Sequence, residues 1–131
     1  MLQYIGELDK EKLGIYSEKI ITNEVILTSE RIKHIKEHHP GDYEKYGKYI
    51  LEIIKEPDYI LEDNKNVDTV LYVKKIITAE KNIQIVIRLN TNKTEIKKKN
   101  SILTLWKIKN STYNQLIRNK KVIWKSLDKE E

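Results

Sequence analysis

Residues 69–89 read TVLYVKKIITAEKNIQIVIRL, and the prediction of the fold begins from them. Its two ends, 69–77 and 83–89, are rich in Val and Ile and flank a polar turn at 80–82, a pattern typical of a β-hairpin. Apolar and polar side chains alternate in the second of these strands. One face of that strand should therefore pack on helices, while Arg88 points from the other face.

Segments before and after the hairpin are also rich in residues that favour β-strands. Residues 58–61 and 101–108 predict two further strands, so we expect an antiparallel meander of about four strands. Residues 112–118 predict a short helix and 122–124 a last strand. Residues 1–27 have no helical period and predict short strands or a hairpin.

Two helices are predicted upstream of the meander. The first covers 29–39, where Thr28 or Ser29 can cap its N-terminus and Pro40 and Gly41 end it. The second covers 42–55, because apolar residues recur there every three to four positions.

The composition limits the classes of protein to which the chain can belong. With 131 residues, of which 39% are hydrophobic, we expect one domain, 1–131. No stretch is apolar enough to cross a membrane and the first residues lack the layout of a signal peptide, so we expect a soluble, cytoplasmic protein. The absence of cysteine excludes disulfides, thiolate catalysis and thiolate zinc sites.

Charge is distributed unevenly along the chain. Residues 1–64 hold 9 Lys/Arg and 14 Asp/Glu, a net charge of −5, whereas residues 65–131 hold 16 and 6, a net charge of +10. A cationic half is typical of a surface that binds nucleic-acid phosphates. The alternative is that the many lysines reflect an AT-rich coding sequence.

All three histidines lie in the first predicted helix, where Arg31, His34 and His38 share one stripe. A metal pair is one interpretation, but no Glu follows the first histidine and no third ligand is evident. Stabilisation of the negative end of the helix dipole is a second interpretation, which explains His38 and His39 without any function. Acid–base catalysis is the third, because imidazole both gives and takes protons near neutral pH.

Metal-free cleavage of RNA needs a base, an acid, and cations or hydroxyls around the phosphate. The second half of the chain offers candidates for these contacts on its predicted strands: Lys75, Arg88, Asn100, Ser101, Thr104 and Trp106. Ser101 and Thr104 differ in parity, so a regular strand would place them on opposite faces unless a bulge intervenes.

Several short motifs resemble a known family when they are taken in order. They are LTSERIKHI at 27–35, His39-Pro40, PDYI at 57–60 and KNSILTLWK at 99–107. Together, across a core of about 25–109, they resemble the phage-encoded branch of the barnase, EndoU, colicin and RelE-like nuclease superfamily. The resemblance implies an α+β fold with N-terminal helices packed on a curved antiparallel sheet, and metal-independent cleavage of RNA, either tRNA or mRNA, with no cofactor.

The resemblance also assigns site residues by position. The R-x-x-H motif falls on Arg31 and His34, the His-Pro motif on His39, and the strand motif on Asn100, Ser101, Thr104 and Trp106; Lys75 and Arg88 are added from their charge. The sequence departs from the pattern by having His38 in front of His39. A residue before proline is pushed out of the helical region, which favours His39 over His38 as the partner of His34.

Two other hypotheses stay open. One is a non-catalytic nucleic-acid-binding or phage accessory protein that keeps the fold without the chemistry. The other is a toxin held silent by an immunity or antitoxin protein. A fold alone does not decide between them.

Overall fold

A computed structural model describes residues 1–129; Glu130 and Glu131, the end of the predicted domain, lie outside the described residues. Its strands are β1 (Leu2–Glu7), β2 (Glu24–Thr28), β3 (Tyr59–Glu62), β4 (Thr69–Ile76), β5 (Lys81–Arg88), β6 (Asn100–Ile108) and β7 (Val122–Lys125). Its α-helices are α1 (Ser29–His38), α2 (Asp42–Tyr46), α3 (Ile50–Lys55) and α4 (Asn110–Asn119). Three 3₁₀ segments cover Lys10–Tyr16, Gly47–Tyr49 and Leu127–Lys129.

The strands form one seven-stranded sheet in the order β1-β2-β6-β5-β4-β3-β7. The meander β3 to β6 is antiparallel, as the sequence predicts, but β2 runs parallel to β6. The α+β class is therefore confirmed, whereas the prediction of N-terminal helices on an antiparallel sheet of about four strands is wrong. The chain begins with strands, and three more strands extend the meander.

The extra strands are short and lie at or near the edges of the sheet. β1 exposes most of its side chains and β7 has only four residues. An edge strand pairs on one side and is only partly covered, so it does not need the regular apolar alternation that marks a central strand. Their sequences consequently carry a weaker signal than the hairpin at 69–89.

The predicted helix at 42–55 is in fact three short segments, α2, a 3₁₀ turn and α3. Gly47 lies at the break, and glycine disfavours a helix interior. The ring of Tyr43 lies 3.3 Å from the position that a Cβ of residue 47 would occupy. A side chain at residue 47 would crowd this ring, which favours glycine at the break.

Both faces of the sheet are covered by helices. On one face Ile83, Ile85 and Ile87 of β5 are buried in a core with α1, α2 and α3. On the other face Tyr113 of α4 joins a second apolar cluster with Val86. We call this second surface the groove face; on β5 it carries Gln84, Val86 and Arg88, because alternate residues of a strand share a face.

Candidate active site

A groove of about 540 Å³ lies between α1 and α4 on the groove face. β4, β5 and β6 form its floor, which includes Gln84, Thr104 and Trp106. α1 contributes Arg31 and His34 to its wall, and α4 lines the opposite side. The groove therefore brings together four of the residues that the sequence singled out.

α1 begins where the sequence predicts it. The Thr28 hydroxyl accepts a hydrogen bond from the Arg31 N–H at 3.1 Å and so caps the helix. His39 ends it with non-helical angles, and Gly41 follows with φ 84°, which favours glycine. Arg31 and His34 are three residues apart, so their side chains lie on the same side of α1.

α1 and α2 lie beside β6, where a further strand could otherwise pair. β2 pairs with β6 over only two residues before the chain turns into α1. Asp42 of α2 closes part of the remaining edge, because its Oδ2 accepts a hydrogen bond from the Lys107 N–H at 3.1 Å. This contact ties α2 to β6, and α1 packs beside the same strand.

A β-bulge in β6 brings Ser101 and Thr104 to one face. Thr104 pairs with Val86 and Ser101 pairs with Arg88, with a register shift between these pairs that leaves Leu103 as the extra residue. Since Val86 and Arg88 share the groove face, their partners do too. The parity conflict in the sequence is thus removed by the bulge.

The Thr104 hydroxyl is buried and has no hydrogen-bond partner within residues 1–129. An unsatisfied buried hydroxyl costs about 1–3 kcal/mol. Only one other buried side-chain polar atom of the described residues shares this state, the Tyr72 hydroxyl, which lies in the core on the opposite face. Thr104 therefore lines the groove with an enclosed hydroxyl for which the described residues supply no hydrogen-bond partner.

The three imidazoles occupy different positions around the groove. The ring of His38 stacks on that of His34 with centroids 4.1 Å apart, and its Nδ1 donates to the His34 carbonyl at 3.0 Å. His39 lies flat on the indole of Trp106, with centroids 4.6 Å apart and planes 8° apart. His34 faces the groove, His38 supports it, and His39 covers one side of the tryptophan.

His39 has a lowered pKa. Burial is the main cause, and the nearby His38 and His34 lower it further, while the carboxylate of Asp42 acts in the opposite direction. The neutral imidazole is thus favoured in the folded protein, which suits a ring stacked on an aromatic side chain.

Lys65 and Lys120 also line the groove, and together with Arg31 they give its rim a positive character. One carboxylate, Asp63, lines the same groove. Burial opposes ionisation of Asp63, but hydrogen bonds from Asn66 and from the Lys65 N–H, with the charge of Lys120, outweigh burial and lower its pKa. Asp63 is therefore ionised and fixes the turn between β3 and β4 at the rim.

Asn100 lies away from the groove and is 0% exposed. Its amide donates to the carbonyls of Thr22 and Glu24 and accepts from the Asn90 N–H, at 2.8–3.0 Å. These bonds hold β2 beside the start of β6. The Asn100 side chain therefore has a structural role and does not line the groove.

Three other predicted residues share the groove face without lining the groove. Ser101 and Arg88 lie next to each other and line a separate cavity of about 320 Å³ near the start of β6. Lys75 lies at another cavity beside α4, with its ammonium 4.9 Å from the ring centre of Tyr113.

The sequence prediction missed several groove residues: Asp63, Lys65, Asn66, Gln84, Thr112 and Lys120. The turn at 63–66 has a detectable signal, because Asp and Asn favour turns that their side chains cap. Gln84 and Lys120 carry no such signal, since their approach depends on the strand order and on where α4 crosses the sheet.

Within residues 1–129, no three His, Asp or Glu side chains are grouped so that they could hold a metal ion. Over the same residues, no helix has the length and apolar character needed to cross a membrane.

Comparison with known proteins gives one match. A family model described as phage-Barnase-EndoU-ColicinE5/D-RelE like nuclease2 matches residues 2–125, which confirms the resemblance seen in the sequence motifs. No curated protein and no solved structure gives a significant match.

Proposed function

Because the chain belongs to this family of phage Barnase-EndoU-ColicinE5/D-RelE like nucleases, we propose that it is an endoribonuclease that cleaves RNA without a metal ion. One observation carries the proposal. Arg31, His34 and a Thr104 hydroxyl that has no partner within residues 1–129 line one groove. Phosphodiester cleavage by a ribose hydroxyl requires proton transfer, which an imidazole can supply, and stabilisation of the phosphate charge, which a guanidinium and a hydroxyl can supply.

The reaction proceeds by internal attack. The ribose 2′-oxygen forms a bond to the adjacent phosphorus, the bond from phosphorus to the 5′-oxygen breaks, and a base takes the 2′ proton while an acid protonates the leaving 5′-oxygen. The products are a 2′,3′-cyclic phosphate end and a 5′-hydroxyl end.

In this proposal His34 transfers one of the two protons. Arg31 and the Thr104 hydroxyl hold the non-bridging oxygens of the scissile phosphate, where charge increases in the transition state. Lys65 and Lys120 at the rim contact neighbouring phosphates.

In the same proposal, one of the other two imidazoles transfers the second proton. His38 contacts His34 directly, whereas His39 lies on Trp106, which lines the groove. RNA with sulfur in place of the leaving 5′-oxygen separates the roles, because a thiolate leaves without protonation. Alanine in place of the acid should be rescued by this substrate, while alanine in place of the base should not.

The direct test is incubation of the pure protein with total tRNA and with mRNA in EDTA. We expect 5′-hydroxyl and 2′,3′-cyclic phosphate ends, and a rate lowered roughly 10²- to 10⁴-fold in His34→Ala. Arg31→Ala should also be impaired, whereas its matched control Arg118→Ala, exposed on α4 outside the groove, should be fully active.

Two outcomes would contradict the proposal: no cleavage by the folded wild-type protein, or undiminished cleavage by folded His34→Ala. Salt-sensitive retention of RNA without turnover would instead identify a non-catalytic nucleic-acid-binding protein. We further propose that the nuclease acts in the cytoplasm, where tRNA and mRNA are found, and that toxicity on expression would indicate an immunity or antitoxin partner.

A further inference from the structure

Gln84 of β5 is largely buried as a residue, and its side-chain amide makes no hydrogen bond to any other residue in the described part of the chain. Unlike the Thr104 hydroxyl, this amide is not fully enclosed by protein. Gln84 is 6% exposed, lies on the floor of the groove and pairs across the sheet with Trp106. The five other buried polar side chains of residues 1–129 all bond to protein groups: Asp42, Asp58, Thr69, Asn82 and Asn100.

The contrast with Asn82 is informative because it lies two residues away on the same strand face. Asn82 donates to the Asn110 Oδ1 at 2.7 Å, which ties β5 to α4. Side-chain amides of largely buried residues nearly always pair with protein, water or a ligand, and the Gln84 amide has no protein partner among the described residues. Its position on a cavity floor points to a ligand as its partner.

We propose that the groove holds one nucleobase of the RNA and that Gln84 reads the edge of this base. The proposal rests on the function proposed above and adds sequence specificity to it. A side-chain amide presents one donor and one acceptor, which together match adjacent acceptor and donor groups on a base edge.

The distribution of groups in the groove favours a base at the floor over a phosphate. Around Gln84 the lining is apolar, with Leu71, Val86 and Leu116, and these side chains suit the faces of an aromatic ring. The cations lie on α1, on the turn after β3 and at the end of α4, and so at the rim. A cavity of about 540 Å³ falls within the roughly 300–1,000 Å³ of small-molecule sites.

The test is sequencing of the RNA ends that the enzyme produces from a random-sequence pool. The wild type should prefer one base at a fixed position beside the cut. Gln84→Leu, which keeps the volume and removes the amide, should reduce that preference roughly 10- to 100-fold. The matched control Gln115→Leu, exposed on α4, should keep the wild-type profile.

Gln84→Glu gives a second and directional result. A carboxylate only accepts hydrogen bonds, so the preference should move toward guanine, whose N1–H and N2–H₂ are adjacent donors. An unchanged base profile in folded Gln84→Leu and Gln84→Glu would overturn the proposal, as would a wild-type enzyme without base preference.

Binding separates this proposal from the proposed reaction. NMR titration of ¹⁵N-labelled protein with each of the four nucleoside 5′-monophosphates should shift the Gln84 side-chain amide signals with one base and not with the other three. Selective binding without any cleavage would leave Gln84 as a base reader and contradict only the nuclease proposal. Cleavage combined with equal shifts from all four nucleotides, or with no shift from any of them, would contradict the base-reading proposal and leave the nuclease proposal intact.

Discussion

His39 lies flat on the indole of Trp106, and this contact joins the end of α1 to the floor of the groove. Burial lowers the pKa of His39 below its ordinary value of 6.5. The unfolded chain then binds this proton more tightly than the folded chain, so the stabilising contribution is complete above pH 6.5. It is lost as the pH falls from 6.5 through the folded pKa.

We predict that acidification from pH 7.5 to 5 lowers the Tm of the wild type more than that of His39→Gln. The pKa itself can be read from fluorescence in a Trp124→Phe background, which leaves Trp106 as the only tryptophan, because a protonated imidazole quenches a stacked indole. Quenching with a midpoint above 6.5, or an identical pH dependence of Tm in both proteins, would show that the stack does not favour the neutral ring.

At the scale of elements, α2 covers part of the open edge of β6 through a hydrogen bond that Asp42 accepts. Asp42 is 6% exposed and accepts from the Lys107 N–H. Asp42→Ala should lower the free energy of unfolding by about 1–3 kcal/mol, because it leaves this N–H without its acceptor. Asp42→Asn keeps an acceptor and should cost less.

Urea unfolding of the two variants measures this difference. Both substitutions remove the negative charge that raises the His39 pKa, so the quenching midpoint of Trp106 should move to lower pH in both. Equal stability of Asp42→Ala and the wild type would mean that α1 and α2 are held to β6 by apolar packing alone.

The hairpin and the start of α1 were predictable from the sequence, whereas pairing between distant strands was not. The hairpin at 69–89 and the cap at Thr28 follow from local alternation and from one hydroxyl. The parallel pairing of β2 with β6 depends on Asn100, whose side chain bonds to residues more than 70 positions away. A single sequence gives no sign of that partner.

At the scale of the molecule, the groove is assembled from distant parts of the chain. Arg31 and His34 come from the first third, Lys65 from the middle and Lys120 from the end. The sequence indicated the first two and the strand residues Thr104 and Trp106. It could not indicate that Arg88, Ser101 and Lys75 line other cavities of the same face, since only the strand order and the position of α4 decide this.

A crystal structure with uncleavable RNA would show whether the groove between α1 and α4 is the active site. An oligonucleotide with a single 2′-deoxy sugar at the preferred cleavage position lacks the attacking hydroxyl and stays intact. We predict that the phosphate after that sugar lies within hydrogen-bond distance of His34, Arg31 and the Thr104 hydroxyl, with the adjacent base at Gln84. An RNA strand bound beside Arg88 and Ser101, with the groove left open, would contradict the account.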